Sequence, residues 1–275
     1  MKGGPKGGPP GPPCKIALWE TLKLTKYDIL KLKTMQMKML KKILHLPSST
    51  CNSFLLLELG VLPILGEIHK RQLNYLHRVL TLPEDDPVHQ IFENMLEFER
   101  EGERNWWSDV KPVLALYGLP EDLSVVGNLS KESFKRMVKN GVHFKMAEKL
   151  KNECSNVQKT ADLTYDEMLQ TQQYLKEMYP EQARLILQAR SRTLDIKTNN
   201  AFKFQEDDML CRKCGQEIEE LEHIVNCGHA EKISLHINLE EDSTELLITE
   251  LRRTANRIQQ FYGDVEGSAE MNIGE

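Results

Sequence analysis

The sequence predicts an all-α fold, and three observations carry that prediction. Apolar residues recur at intervals of three and four from Lys15 almost to the end of the chain, the period of helices with one inward face. Capping residues and Pro or Gly stops divide these stretches into helix lengths. No stretch keeps the two-residue alternation that a pair of half-buried strands requires. The expected architecture is a multi-helix bundle followed by a small Cys- and His-rich module.

MKGGPKGGPPGPP opens the chain. It breaks the Gly-X-Y period of a collagen helix and reads as a disordered leader over 1–14. Thr25 and Asp28 stand at capping-box spacing and open a helix to about His45. On it Leu32, Met35, Gln36, Met39, Leu40 and Ile43 mark one broad face, while Lys31, Lys38 and Lys42 line the other. Pro47 and the Ser48-Ser49-Thr50 run stop this helix and cap the next. That one is short and apolar, Ser53 to Leu59, and ends at Gly60. Val61-Leu62-Pro63 then turns into a longer helix with an inner stripe of Leu65, Ile68, Leu76, Val79 and Leu80. Lys70, Arg71, Asn74, His77 and Arg78 share its opposite face. Pro83 to Pro87 is a turn between prolines. Further helices are expected near 88–102, 109–117, 131–152, 165–178 and 181–192, with Thr164 and Glu167 as a capping box and Pro180 opening the last. Met35, Met37, Met39 and Met137 read as gap-filling core residues. Leu247, Leu251, Ala255 and Ile258 mark a final helix capped near Ser243, and an acidic, disordered tail is expected from Gly263.

Composition narrows the function class. The chain is 40% hydrophobic and 28% charged, and no run of about 18 apolar residues spans a membrane. The N-terminus lacks the apolar core of a secretory signal. Six cysteines, half of them in one compact cluster, argue for a reducing compartment, so an intracellular protein, nuclear or cytoplasmic and not secreted, is expected. Cys14, Cys51 and Cys154 are scattered and read as ordinary small residues. Residues 1–46 hold ten Lys against Glu20 and Asp28, a balance of +8 that leaves −13 for the rest of a chain whose net charge is −5. Such polarity suits a phosphate-facing surface at one end. Solvated helix faces produce the same pattern.

The densest chemistry is Cys211-x2-Cys214-x8-His223-x3-Cys227. Soft thiolates and one imidazole at this spacing suit a tetrahedral, structural Zn²⁺ site. Gly215 follows the second Cys, where a knuckle turns without a Cβ. Leu221 to Cys227 reads as a helical turn that puts His223 and Cys227 on one face. His229, two residues on, competes with Cys227 as fourth ligand. Lys203, Arg212, Lys213 and Lys232 flank the cluster, but Glu217, Glu219, Glu220 and Glu222 fill its loop. That acidity argues for a staple over a phosphate grip.

The order of several short motifs resembles the region after the polymerase core of non-LTR (LINE-type) retrotransposon reverse transcriptases. It begins at Leu22-Lys23-Leu24-Thr25-Lys26 and continues through Leu46-Pro47-Ser48-Ser49-Thr50 and Leu57-Glu58-Leu59-Gly60-Val61-Leu62-Pro63. Ile68-His69-Lys70-Arg71, Leu76-His77-Arg78, Asp86-Pro87-Val88, Asn105-Trp106 and Tyr117-Gly118-Leu119 follow. Ala189-Arg190-Ser191 and Leu194-Asp195-Ile196-Lys197 then lead into the Cys-Cys-His-Cys cluster. The likeness covers roughly 20–230 in one colinear order. It implies a thumb-like helical domain at 15–118, a helical connector at 119–200, a zinc-binding module at 201–236, and a C-terminal helix and tail at 237–275. The leader has no counterpart in the family and reads as a fusion or a misassigned start.

The parent family is an RNA-directed DNA polymerase, yet its palm carboxylates and endonuclease are missing here. Asp85-Asp86 lies between prolines and Asp207-Asp208 lies in FQEDDML, neither in the strand context that two shared Mg²⁺ ions need. Both pairs read as loop acids or helix caps, and no catalysis is expected. What remains is binding to RNA or DNA through the phosphate backbone. The candidates are Lys31, Lys38, Lys42, Lys70, Arg71 and Arg78, with Asn74 and His77 as hydrogen-bonding partners, while His69 is placed in packing. Trp106-Trp107 can stack on a base, but one ring in the core and one at its rim is the favoured placement. The alternative function is a domesticated zinc-containing helical adaptor for a protein partner.

Overall fold

The computed structural model describes residues 24–205, 208–233 and 244–271. The leader, Asp207 and Ser243 lie outside them. The described residues form helices α1 (Lys26–Ile43), α2 (Asn52–Leu59), α3 (Ile64–Leu80), α4 (Pro87–Arg100), α5 (Trp106–Leu116) and α6 (Leu123–Asn128). Next come α7 (Lys131–Ser155), α8 (Tyr174–Glu177), α9 (Pro180–Arg190), a 3-10 stretch (Thr198–Lys203), α10 (Leu221–Asn226) and α11 (Thr244–Met271). Among the described residues no strand forms, and the nearest approach is a single antiparallel bridge between Leu210 and Ile218. The all-α expectation holds. No single described helix is long and apolar enough to cross a membrane.

The chain divides into two compact units, each discontinuous in sequence. One comprises the described residues up to Ile29 with Leu65–Val142, and the other Leu30–Ile64 with those from His143 onward.

In the first unit α4 and α5 pack as a pair. Asn105 caps α5 reciprocally with Ser108 and also donates to the Met95 carbonyl at 2.7 Å. The cap starts α5 three residues earlier than expected and sets the two tryptophans. Trp107 enters the core and Trp106 stays half-buried at its rim, both edge-on to buried Phe92. Asp86 caps α4 by accepting from the Val88 N–H at 2.8 Å. Helix α6 is an addition to the expected elements, started by the Asp122 cap.

In the second unit α2 is buried on every side from Ser53 to Glu58, so it has no polar face. It stops at Gly60, whose φ of +61° suits glycine and whose missing Cβ would lie 2.3 Å from the Thr171 nitrogen. The segment passing there uses its polar groups on the end of α2: Gln172 N–H donates to the Glu58 carbonyl and the Thr171 hydroxyl to the Leu59 carbonyl, each at 2.9 Å. That contact overrides the helix expected over 165–178, of which only α8 is helical.

Two more expectations change. On α1 the inner side is not the Met35–Met39–Ile43 face, since those residues are 66%, 58% and 64% exposed. Met37 is the buried residue, flanked by half-buried Lys33, Leu40 and Lys41. Gln36 sets this rotation: its amide donates to the Leu62 carbonyl at 2.8 Å and accepts from the Ile64 N–H at 2.9 Å. A side chain that satisfies two backbone groups at once outweighs apolar residues that find no core opposite them. Of the four methionines read as core, only Met37 is buried. At the other end α11 continues through Gly263 to Met271, where a tail was expected, because Tyr262 and Val265 still pack on the core.

Candidate metal centre and cationic faces

The loop that carries the first two candidate ligands is built from backbone turns. Cys211 N–H donates to the Glu217 carbonyl at 2.7 Å and Gly215 N–H to the Cys211 carbonyl at 2.8 Å. Gly215 takes φ +66° in open space. This loop and the first turns of α10 bring Cys211, Cys214, His223 and Cys227 together, with one ligand atom from each within 4.8 Å of all the others. Cys211 Sγ lies 3.9 Å from Cys227 Sγ, and Cys214 Sγ 3.4 Å from His223 Nε2. A tetrahedron with Zn–S bonds of ~2.3 Å and a Zn–N bond of ~2.0 Å has edges of about 3.8 and 3.5 Å. The four groups are thus spaced to hold one metal ion. His229 is not among them, so Cys227 stands as the fourth candidate ligand.

The thiols have unequal surroundings. Burial is the largest single influence on Cys214 and pushes it up, but the N–H groups of Gln216 and Glu217 and the neighbouring thiols together outweigh it and bring it down to about 7. Burial, followed by the charge of Cys211, pushes Cys227 up to about 12. Three thiolates cannot share so small a space without a cation between them.

Residues that the sequence reading treated as an acidic loop turn out to organise the centre. Glu217 Oε2 accepts from His223 Nδ1 at 2.9 Å, which leaves Nε2 for the metal. Glu219 is wholly buried and accepts from the backbone N–H of Arg212 at 2.9 Å and of Lys197 at 3.1 Å. The Arg212 guanidinium closes on the same carboxylate, with Nη2 at 2.7 Å. Behind α10, buried Asn226 mimics a strand partner, exchanging bonds with Ile233 N–H and carbonyl at 2.8 and 3.1 Å. Arg257 of α11 donates to Asn226 Oδ1 and to the Val225 carbonyl. Cys211, Ile224, Val225 and Cys227 share one apolar core with Ala189 of α9 and Ile258 and Phe261 of α11. The module is part of a larger core, not an appendage. Spacing reveals the ligands, but only the fold shows which glutamate each basic group meets.

The cationic candidates separate into two sets. Lys38, Lys42, Arg71 and Arg78 are exposed and have no ion-pair partner among the described residues. Lys31 is exposed too. Lys70 is half-buried and paired with Glu67 at 2.7 Å, and Asn74 donates to the Lys70 carbonyl. His77 does not lie on the polar face. It is buried, stacked on Phe134 at 4.8 Å, and bonded through Nε2 to the Leu129 carbonyl at 2.9 Å. A three-residue step from Asn74 is enough to turn it into the core. His69 packs as expected, 2.8 Å from the Tyr117 hydroxyl.

One further pair joins residues far apart in the chain, without a spacing that would reveal it. Glu58 and Arg190 form an ion pair at 2.8 Å with both side chains wholly buried, and the hydroxyls of Tyr165 and Tyr174 also donate to Glu58, at 2.9 and 2.7 Å. Burial raises the pKa of Tyr174, and so does the Glu58 charge. No family profile, no characterised protein and no solved structure matches this chain.

Proposed function

We propose that this chain is a non-catalytic, nucleic-acid-binding protein, the thumb and zinc-bearing C-terminal part of a LINE-type reverse transcriptase. The observation that carries the proposal is exposed cations on two helices, Lys38 and Lys42 on α1 and Arg71 and Arg78 on α3, none of which makes an ion pair among the described residues. Exposed cations without an acidic partner can offer sequence-independent phosphate contacts. The centre is read as one structural zinc, because its donors are three thiolates and an oriented imidazole with no fifth side.

No polymerase step is assigned to the chain. Asp86 is a helix cap and Asp208 pairs with Lys197 at 3.3 Å. Primer extension with Mg²⁺ or Mn²⁺ is expected to give no product above a heat-killed control, and extension would overturn this part. The binding test is titration of the full chain with duplex and single-stranded RNA and DNA at several salt concentrations. Lys31→Gln/Lys38→Gln/Lys42→Gln should weaken binding whatever the sequence and flatten log K against log salt by roughly 0.9 per lost duplex contact.

One observation favours a second reading. Met35, Met39 and Ile43 form an exposed apolar row on α1 beside Lys38 and Lys42, as a helix for an acidic amphipathic partner would. If the triple Lys variant keeps full nucleic-acid affinity and slope, the adaptor reading replaces the first.

A further inference from the structure

Arg78 and two lysines that the sequence reading left aside meet at one cavity of about 440 Å³. One wall is α3 with Asn74, Tyr75 and Arg78, and the other is the start of α7 with Lys131 and Lys135, with Leu129 beside it. The volume falls within the ~300–1,000 Å³ of small-ligand clefts.

Three features give this cavity a ligand chemistry. First, it holds three cations and no carboxylate in its wall, and none of the three makes an ion pair among the described residues. Glu132, on the same first turn as Lys131, is not part of the wall. Cations left unpaired around a concavity focus positive potential inside it. Second, Lys131 begins a helix of 25 residues, whose dipole is positive at that end. Third, the cavity has a rigid floor. Buried His77 of α3 stacks on Phe134 of α7 and binds the Leu129 carbonyl, so the two walls cannot drift apart without breaking that contact. His77, which also lines the cavity, is therefore a positioning residue here.

From this geometry we infer that the cavity is a phosphate-binding site formed by Arg78, Lys131 and Lys135. A planar guanidinium fork on one wall and two ammonium groups on the other suit a tetrahedral dianion or a phosphodiester. The cationic rows also leave the cavity. Lys139 follows Lys135 as Lys135 follows Lys131, each step about 6 Å of helix rise, and Lys139 and Arg71 are exposed. That continuation favours a strand of nucleic acid over a small phosphorylated molecule, and in this respect the inference rests on the proposed function.

The test uses the full chain, Lys131→Gln/Lys135→Gln, Arg78→Gln from the opposite wall, and Lys149→Gln as an exposed control. Each is titrated with inorganic pyrophosphate and with a 12-nucleotide single-stranded RNA, and thermal melts check folding. The expected result is saturable pyrophosphate binding that both cavity variants lose and the control keeps. RNA affinity of the double variant should fall about tenfold near physiological salt, with the salt slope reduced by roughly 1.4 for two lost contacts. Loss of pyrophosphate with RNA unchanged would keep the site and assign it to a free phosphorylated ligand. Pyrophosphate binding by a wild-type chain that binds no nucleic acid would overturn the proposed function and leave the site standing. If folded variants bind pyrophosphate and RNA as the wild type does, the site is overturned.

Discussion

Glu58 and Arg190 stand 132 positions apart, and neither side chain touches water. Burial is the largest single influence on Arg190 and would lower its pKa, but the Glu58 charge, the tyrosines and the hydrogen bond to Glu58 together outweigh it and raise it. Removing one partner leaves a buried charge without compensation, a loss of ~3–5 kcal/mol. Arg190→Met should therefore destabilise the chain by about that amount in urea denaturation. Glu58→Leu/Arg190→Met should recover part of the loss, though not all, because Tyr165 and Tyr174 then lack their acceptor. A double variant as unstable as the single one would show that the pair itself is not the source. Gly60 and Gly118 give a second residue-scale comparison. Both have positive φ, +61° and +63°, but Gly118 has nothing within 4 Å of the missing Cβ, while Gly60 has the Thr171 backbone at 2.3 Å. Gly118→Ala should cost only the conformational ~1–2 kcal/mol. Gly60→Ala must also displace backbone and should cost clearly more in the same measurement.

At the scale of elements, short contacts overrule periodicity. The rotation of α1 depends on the Gln36 amide at Leu62 and Ile64. Gln36→Leu leaves those two backbone groups unpaired and should lower stability by ~1–3 kcal/mol, with faster hydrogen exchange at Ile64. In the loop of the candidate metal centre, Glu217 holds His223 through Nδ1 and is itself outside the four-residue ligand group. Carboxylates that accept from the free ring nitrogen of a metal-ligating histidine typically account for 10–100-fold in metal affinity. If the centre holds the proposed zinc, Glu217→Gln should weaken its binding by roughly tenfold in a chelator competition while the stoichiometry stays at one. Cys214→Ser, by contrast, should reduce the stoichiometry, and full zinc retention in that variant would remove Cys214 from the ligands.

At the scale of the molecule, the metal centre shares its core with α9 and α11. Ligation free energy there becomes folding free energy for more than the knuckle. Stripping the metal should therefore lower the melting temperature and expose amides of α11 around Leu251–Phe261 to exchange, while α3 in the other unit keeps its protection. Chelation confined to the knuckle would argue for an independent module. Affinity should rise with pH, since Cys227 is held protonated up to about 12 without a cation and must release that proton on binding.

Several features are fully legible from residues in their linear order. Capping residues such as Thr25 with Asp28 act within one turn, so their pattern marks where helices begin. The ligand spacing of Cys211, Cys214, His223 and Cys227 is also local, and it brings the four groups together wherever the knuckle folds. Helix content follows from the same short-range logic. Other features depend on partners distant in sequence. Which face of α1 turns inward was decided by a backbone 26 residues away, and the extended path of 165–173 by the end of α2. The Glu58–Arg190 pair, the buried stacking of His77 and the cavity beside Arg78 arise in the same way. Periodicity states that a helix has an inner face, but polar groups that must find partners out of water choose that face, and those partners exist only once the chain has folded.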